Sequence, residues 1–265
     1  MKYDLFITDF DGTLGVVPDV VDAETVTAIK KYIKKGGKFV ICTGRMACSA
    51  HHICKKYGFG GLTIAYQGAT IDDMDNNQRI LSAGIESELA ISVVKQLKQQ
   101  QVCVCVAIDE ILYCEVETAY TEFYKNFTTV VVVEDLISLI QNSNKPVLKV
   151  VGTSEPEKIK EVTQKLTQIL PKNLSCNNGI DYLVEIINKE YDKGSAVRFL
   201  SKYYNIPYDR IITVGDSNND IPLLDGDWHG VAVGDAKDSL KKVAKEITVD
   251  FKDNPVKYLL EKYCL

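Results

Sequence analysis

Three polar segments in this chain each begin where a short apolar run stops. Asp9-Phe10-Asp11-Gly12-Thr13 follows the run 3–8, Thr43-Gly44-Arg45 follows 38–42, and Gly215-Asp216-Ser217-Asn218-Asn219-Asp220 follows 210–214. Apolar runs this short, alternating with helical patterns, read as buried strands of a parallel sheet. In an open parallel sheet the carboxyl ends of the strands share one edge, and ligands bind in the crevice there. Segments from opposite ends of the chain are therefore expected to converge on one site.

The alternation runs through both ends of the sequence. A helix pattern over 22–35 carries Val26, Ile29 and Ile33 on one side and stops at Gly36-Gly37. A helix over 46–57 leads to a strand at 62–66, expected as the third of the parallel sheet. The C-terminal third repeats this order, with a helix at 193–204, strands at 210–214, 231–233 and 247–249, and helices at 237–245 and 254–262. The middle differs. It reads as helices at 87–100, 119–126, 134–141 and 155–170 with strands at 102–107, 111–115, 128–133, 146–151, 173–177 and 181–187. Hairpin-like connections at Asp109-Glu110 and Asn178-Gly179 indicate an antiparallel sheet. With 265 residues and about 150 per domain, the expected architecture is a doubly wound α/β core from 1–81 and 190–265. An α+β unit over 82–189 is inserted into it.

Composition narrows the function. Hydrophobic residues make up 46% and charged residues 25% of the chain, which excludes a disordered or fibrous protein. The net charge of −5 argues against a protein that grips nucleic acid by its phosphates. No apolar run approaches the ~20 residues of a membrane span, and the N-terminus shows no signal-peptide pattern. The eight cysteines contain no C-x-x-C pair, so reduced, mostly buried thiols in a cytoplasmic protein are expected. Cys103 and Cys105 share one strand face, but a metal or redox use for them has no further support. No obligate protein partner is implied.

Asp9, Asp11, Asp216 and Asp220 would crowd carboxylates into one cleft, where they cannot all stay ionised without a compensating charge. An oxygen-only donor set with room for water favours Mg²⁺. Amides around Phe10, Asp11 and Gly12 could cradle a phosphate, Thr43 offers a hydroxyl, and Gly44 permits close backbone approach. One Asp could attack phosphorus and another move a proton. Plainer readings exist for each piece. Asp-x-Asp-Gly is also a turn sequence, Thr43 could simply start a helix, and most lysines, Lys193 included, are solvated. A calcium loop fails, because its sixth and twelfth positions hold Leu14 and Val20 rather than Gly and Glu.

Taken together, Asp-Phe-Asp-Gly-Thr, Thr-Gly-Arg, Lys193-Gly194 and Gly-Asp-Ser-x-Asn-Asp resemble the four motifs of the haloacid dehalogenase (HAD) superfamily, in the family's order. The insertion before Lys193 is similar to the mixed α/β cap of the Cof-type branch. The resemblance implies Asp9 as a nucleophile forming an aspartyl-phosphate and Asp11 as the general acid, then base. It also implies a Mg²⁺ site of Asp9, the Asp11 carbonyl and Asp216. Thr43, Gly44, Lys193, Asn219 and the Phe10 backbone would contact phosphate. Asp220 would support the lysine and the metal, and Arg45 would face the cap and touch substrate. Gln67-Gly68-Ala69 stands where many relatives have Asn-Gly-Ala, and 188–192 lacks a frequent proline. The expected function is a Mg²⁺-dependent phosphatase of small phosphorylated metabolites, chiefly sugar phosphates. The alternatives are a phosphosugar mutase or phosphotransferase, and a non-catalytic phosphometabolite-binding protein.

Overall fold

Leu5–Thr8 holds four residues that are all buried, as a strand covered on both faces requires. In the computed structural model, which describes residues 1–177 and 181–265, it is the first of fourteen strands. In chain order the elements are β1 (Leu5–Thr8), α1 (Ala23–Lys34), β2 (Lys38–Ile41), α2 (Ala47–Tyr57), β3 (Leu62–Ala65), β4 (Thr70–Asp73) and β5 (Gln78–Ser82). There follow α3 (Ser87–Gln99), β6 (Cys103–Ile108), β7 (Ile111–Cys114), α4 (Ala119–Tyr124), β8 (Val130–Val132), α5 (Leu136–Asn142) and β9 (Val147–Thr153). Then come α6 (Pro156–Ile169), β10 (Leu174–Asn177), β11 (Leu183–Asn188) and α7 (Lys193–Tyr204). The chain closes with β12 (Ile211–Gly215), α8 (Ile221–Leu224), β13 (His229–Ala232), α9 (Asp238–Lys241), β14 (Glu246–Ile247) and α10 (Pro255–Tyr263). The Asn178-Gly179 connection lies outside the described residues.

These elements form two compact units, Met1–Ile80 with Tyr191–Leu265, and Leu81–Glu190. The first contains a parallel sheet in the order β14-β13-β12-β1-β2. Strand order reverses around β1, which lies between β12 and β2, so the carboxyl ends of β1 and β12 form the crevice of a doubly wound sheet. Leu5 pairs with Ile211 and Thr8 with Val214. The strand at 62–66 has two neighbours rather than one. β3 belongs to a separate sheet, β3-β4-β5, and pairs antiparallel with β4. It also runs parallel beside the end of β2, through the Cys42 to Ile64 bridge and the Thr43 amide on the Ile64 carbonyl at 3.0 Å, on the side where a third parallel strand was expected. An apolar run identifies a strand but not its partner.

The helices of this unit start and stop where their local chemistry directs. The Asp22 carboxylate caps α1 by accepting from the amides of Glu24 and Thr25 at 2.9 Å. Ala28, Ile29 and Tyr32 give it a buried stripe, and Lys31 and Lys34 sit at its negative C-terminal end. Asp192 caps α7 through the Ser195 amide at 2.7 Å, which makes Lys193 the first helical residue. The helix expected over 237–245 is shorter, ending at Lys241.

The second unit is a six-stranded sheet, β10-β11-β9-β6-β7-β8, antiparallel except for β7 with β8. Alternate residues of its strands, among them Val104, Val106, Val150, Val184 and Ile186, share a core with Ala90, Val93, Val94 and Leu97 of α3 and Ile159, Val162 and Leu166 of α6. The α+β class and central parallel sheet expected from the sequence are both present. No helix among the described residues is long and apolar enough to cross a membrane.

Candidate active site

β1 delivers Asp9 to the crevice, and the Asp9 amide continues the ladder to the Val214 carbonyl at 2.9 Å. β12 delivers Asp216 on the neighbouring strand. Beyond Asp9 the chain turns sharply, with the amides of Leu14 and Gly15 both donating to the Phe10 carbonyl, at 3.0 and 2.8 Å. Gly12 makes the turn possible. Its φ is +78°, and a Cβ there would lie 2.8 Å from Asp216 Oδ2.

Asp9, Asp216 and Asp220 each present a carboxylate oxygen within 4.8 Å of the others. Lys193 Nζ donates to Asp9 Oδ1 at 2.6 Å and to Asp220 Oδ1 at 2.5 Å. All three of these partners are buried. Asp220 Oδ2 accepts from the amides of Asp216 and Ser217 at 3.0 and 3.1 Å, which ties the start of the loop to its end. Thr13 and Ser217 donate their hydroxyls to Asp216, at 2.9 and 2.8 Å. The sequence places Thr13 and Ser217 in the motifs, but their bonds to Asp216 emerge only from the fold.

The charges do not balance. Burial raises the Asp9 carboxyl well above its ordinary value, and Asp220 adds to this against the pull of Lys193. Burial and then Asp220 also raise Asp216. Burial works against the Lys193 charge, but Asp220 and Asp9 outweigh it and hold the ammonium protonated. Three carboxylates face one ammonium in a low-dielectric site, so a further cation fits. The donors are all oxygens, the set that a hard divalent ion takes.

A second group lies beside β2. Thr43, buried, donates its amide to the Ile64 carbonyl at 3.0 Å, and its hydroxyl accepts from the Arg45 amide at 3.1 Å. A Cβ at Gly44 would lie 2.2 Å from Gln67 Nε2. Gln67 is itself buried in a left-handed conformation, φ +61°, and its Oε1 accepts from Asn219 Nδ2 at 3.3 Å. Gln67 thus links the Thr43-Gly44 loop to the Asn219 loop. The sequence flags it only as a departure from Asn-Gly-Ala.

The side chains of Asp11, Arg45 and Phe10 make a separate set of contacts. Both oxygens of Asp11 are bound by Arg45, Nε at 2.8 Å and Nη2 at 2.6 Å. Arg45 also donates to Asp19 Oδ1 at 2.6 Å. The Phe10 ring is fully buried under the Arg45 guanidinium, 4.7 Å from its central carbon, so only the Phe10 backbone faces the turn. Asp19 carries no motif signal, and the sequence does not single it out.

The sequence pattern of the haloacid dehalogenase-like hydrolases matches residues 6–260. The chain belongs to this family. Relatives of these hydrolases cover its whole length. A Haemophilus influenzae chain bearing a phosphatase name is 25% identical and spans 99% of this chain and 98% of its own. The Bacillus subtilis 5-amino-6-(5-phospho-D-ribitylamino)uracil phosphatase YitU is 24% identical over 98% of this chain and 97% of its own. The crystal structure of TM0651 from Thermotoga maritima superposes with a TM-score of 0.84 at 27% identity, covering 98% of this chain and 97% of that one. A haloacid dehalogenase-like hydrolase from Bacteroides thetaiotaomicron shares the fold at a TM-score of 0.86 and 19% identity, covering 98% and 99%.

Proposed function

We propose that this haloacid dehalogenase-like hydrolase, a phosphoric monoester hydrolase, is a Mg²⁺-dependent phosphatase of small phosphorylated metabolites of the sugar-phosphate class. The observation that carries the reading is the buried cluster of Asp9, Asp216 and Asp220 at the ends of β1 and β12, with Lys193 bridging Asp9 and Asp220. YitU, a relative across nearly the whole chain, is named for a phosphate ester of a ribityl group.

In this reading Asp9, Asp216 and the Asp11 carbonyl hold Mg²⁺, which when bound supplies positive charge to a phosphoryl oxygen. An Asp9 carboxylate oxygen attacks phosphorus, the phosphorus–oxygen bond to the leaving group breaks, and the Asp11 carboxyl gives its proton to the departing alkoxide. Water then attacks the aspartyl-phosphate, passes a proton to the Asp11 carboxylate, and inorganic phosphate leaves with Asp9 restored. Lys193 offsets charge on the phosphoryl group through its ammonium. Thr43, Asn219 and the backbone at Phe10 and Gly44 bind the phosphate, and Asp220 fixes the lysine. Met1–Ile80 with Tyr191–Leu265 serves as the catalytic core and Leu81–Glu190 as the cap. The largely buried thiols, none in a disulfide among the described residues, suit a reducing cytoplasm.

The test is phosphate release from p-nitrophenyl phosphate and a panel of sugar phosphates, with Mg²⁺ and with EDTA, for the native chain and Asp9→Asn. Release that needs the metal and vanishes in the variant is expected. An isomerised sugar phosphate without free phosphate would replace hydrolysis with a mutase. Tight binding of the panel with no product of either kind would leave a binding protein.

A further inference from the structure

Arg45 spends its guanidinium inside the first unit. Besides its two bonds to Asp11, Nη1 donates to Asp19 Oδ1 at 2.6 Å, to the Pro18 carbonyl at 3.0 Å and to Ser49 Oγ at 3.3 Å. One face of the guanidinium lies over the Phe10 ring at 4.7 Å. Burial opposes the Arg45 charge, but Asp11 and then Asp19 outweigh it. Every nitrogen is used, and the side chain is 11% exposed.

Asp11 is the opposite case. Its side chain is 43% exposed, and Arg45 is the one side chain among the described residues that hydrogen-bonds its carboxylate. Two parallel bonds from a planar fork fix the plane of a carboxylate, which a single point charge cannot do. The anchor behind the fork is built to stay still. The Asp19 side chain is 5% exposed. Its carbonyl accepts from Tyr57 Oη at 2.9 Å and Lys56 Nζ at 2.6 Å, and the Val21 amide donates to Tyr57 Oη at 2.9 Å. Ser49, Lys56 and Tyr57 all belong to α2, so a helix frames the whole relay.

We propose that Arg45, anchored by Asp19, is a positioning residue that sets the direction of the Asp11 carboxylate, and that substrate does not touch its guanidinium. This deepens the phosphatase reading and rests on it, because Asp11 is the proton carrier there. The chain Asp19–Arg45–Asp11 aims a half-exposed carboxylate that would otherwise sample several rotamers. Nε and Nη1 have no N–H left for substrate, and a contact through the fork would break the bonds that hold Asp11; only the second N–H of Nη2 has no acceptor among the described residues.

The test compares Arg45→Met, Arg45→Lys and Asp19→Asn with Asp11→Asn on a series of Mg²⁺-supported phosphate esters. The leaving groups run from p-nitrophenolate to a simple alkoxide. Expected for Arg45→Met is a fall in kcat that grows with leaving-group basicity, from under about threefold on the aryl ester to about 10²-fold on the alkyl ester, within the range of general acid catalysis. KM should change by less than about threefold. Asp19→Asn should show a weaker form of the same slope. Arg45→Lys should not rescue it, because an ammonium cannot make the fork. Combining Arg45→Met with Asp11→Asn should add no further loss. A rise in KM with kcat kept would make Arg45 a substrate contact and overturn the proposal. An equal fall across all esters would make the relay merely structural, with the same effect. If Arg45→Met does not fold, Asp19→Asn and Arg45→Lys, checked by thermal melting, carry the comparison. A native chain that hydrolyses none of the esters would overturn the phosphatase reading itself, and the positioning role with it.

Discussion

Lys193 stands between two buried carboxylates, and its removal would leave both facing each other without a counter-charge. Lys193→Met is expected to lower stability by about 3–5 kcal/mol in EDTA, read from urea melts. With Mg²⁺ it should lower kcat by about 10²–10³-fold. Gly44 and Gln67 make a coupled pair. Gly44→Ala should destabilise by about 1–3 kcal/mol through overpacking, since its methyl would meet Gln67 Nε2. Adding Gln67→Gly should recover most of that loss, because glycine accepts the left-handed backbone and clears the space. Stability of the two single variants and the double variant forms the cycle that checks this. At this scale the sequence carries much of the site. Asp9, Asp216 and Asp220 are legible because carboxylates at the ends of apolar runs must meet at one sheet edge, whereas Lys193 is legible only from its place after the insertion in the family's order of motifs. Asp19 is not, because an aspartate in a loop looks the same whether it caps a turn or anchors an arginine.

Elements were legible where periodicity alone decides them. α3, α6 and α7 match the expected helices to within a residue or two at each end. Pairing was less accessible. β3 meets the parallel sheet only by a parallel bridge at the end of β2 and pairs along its length, antiparallel, with β4, while β4 and β5 have no counterpart in the sequence reading. β8 pairs parallel to β7 within an otherwise antiparallel sheet, a choice made by the α4 connection rather than by strand composition. Capping belongs to this scale as well. The Thr25 amide, with further help from the Thr25 hydroxyl and the Glu24 amide, holds Asp22 below its ordinary 3.8. A lowered carboxylate stabilises the fold above its unfolded value and loses that contribution as pH falls through its folded value. Asp22→Ala should therefore cost about 1 kcal/mol near neutral pH. The gap between variant and native chain should close as urea melts are taken down toward about pH 3.

For the whole molecule the unbalanced charge of the crevice has a thermodynamic signature. A cation that binds only the folded chain stabilises it by about 2.7 kcal/mol at one hundred times its dissociation constant. Thermal melting of the native protein should therefore rise with Mg²⁺ concentration and fall back in EDTA. Asp216→Asn should blunt this response, having lost a donor oxygen. A melting point indifferent to Mg²⁺ would remove the cation from the account of this site.

The pairing of Leu5 with Ile211 has a consequence during synthesis. When β1 leaves the ribosome, one of its two neighbours in the sheet has not yet been translated. Leu81–Glu190 emerges complete and has its own core, so it can fold while β1 and β2 still lack β12. Asp9 and Lys193 come from opposite sides of this delay, so their ion pair cannot form until the chain has been made past the inserted unit.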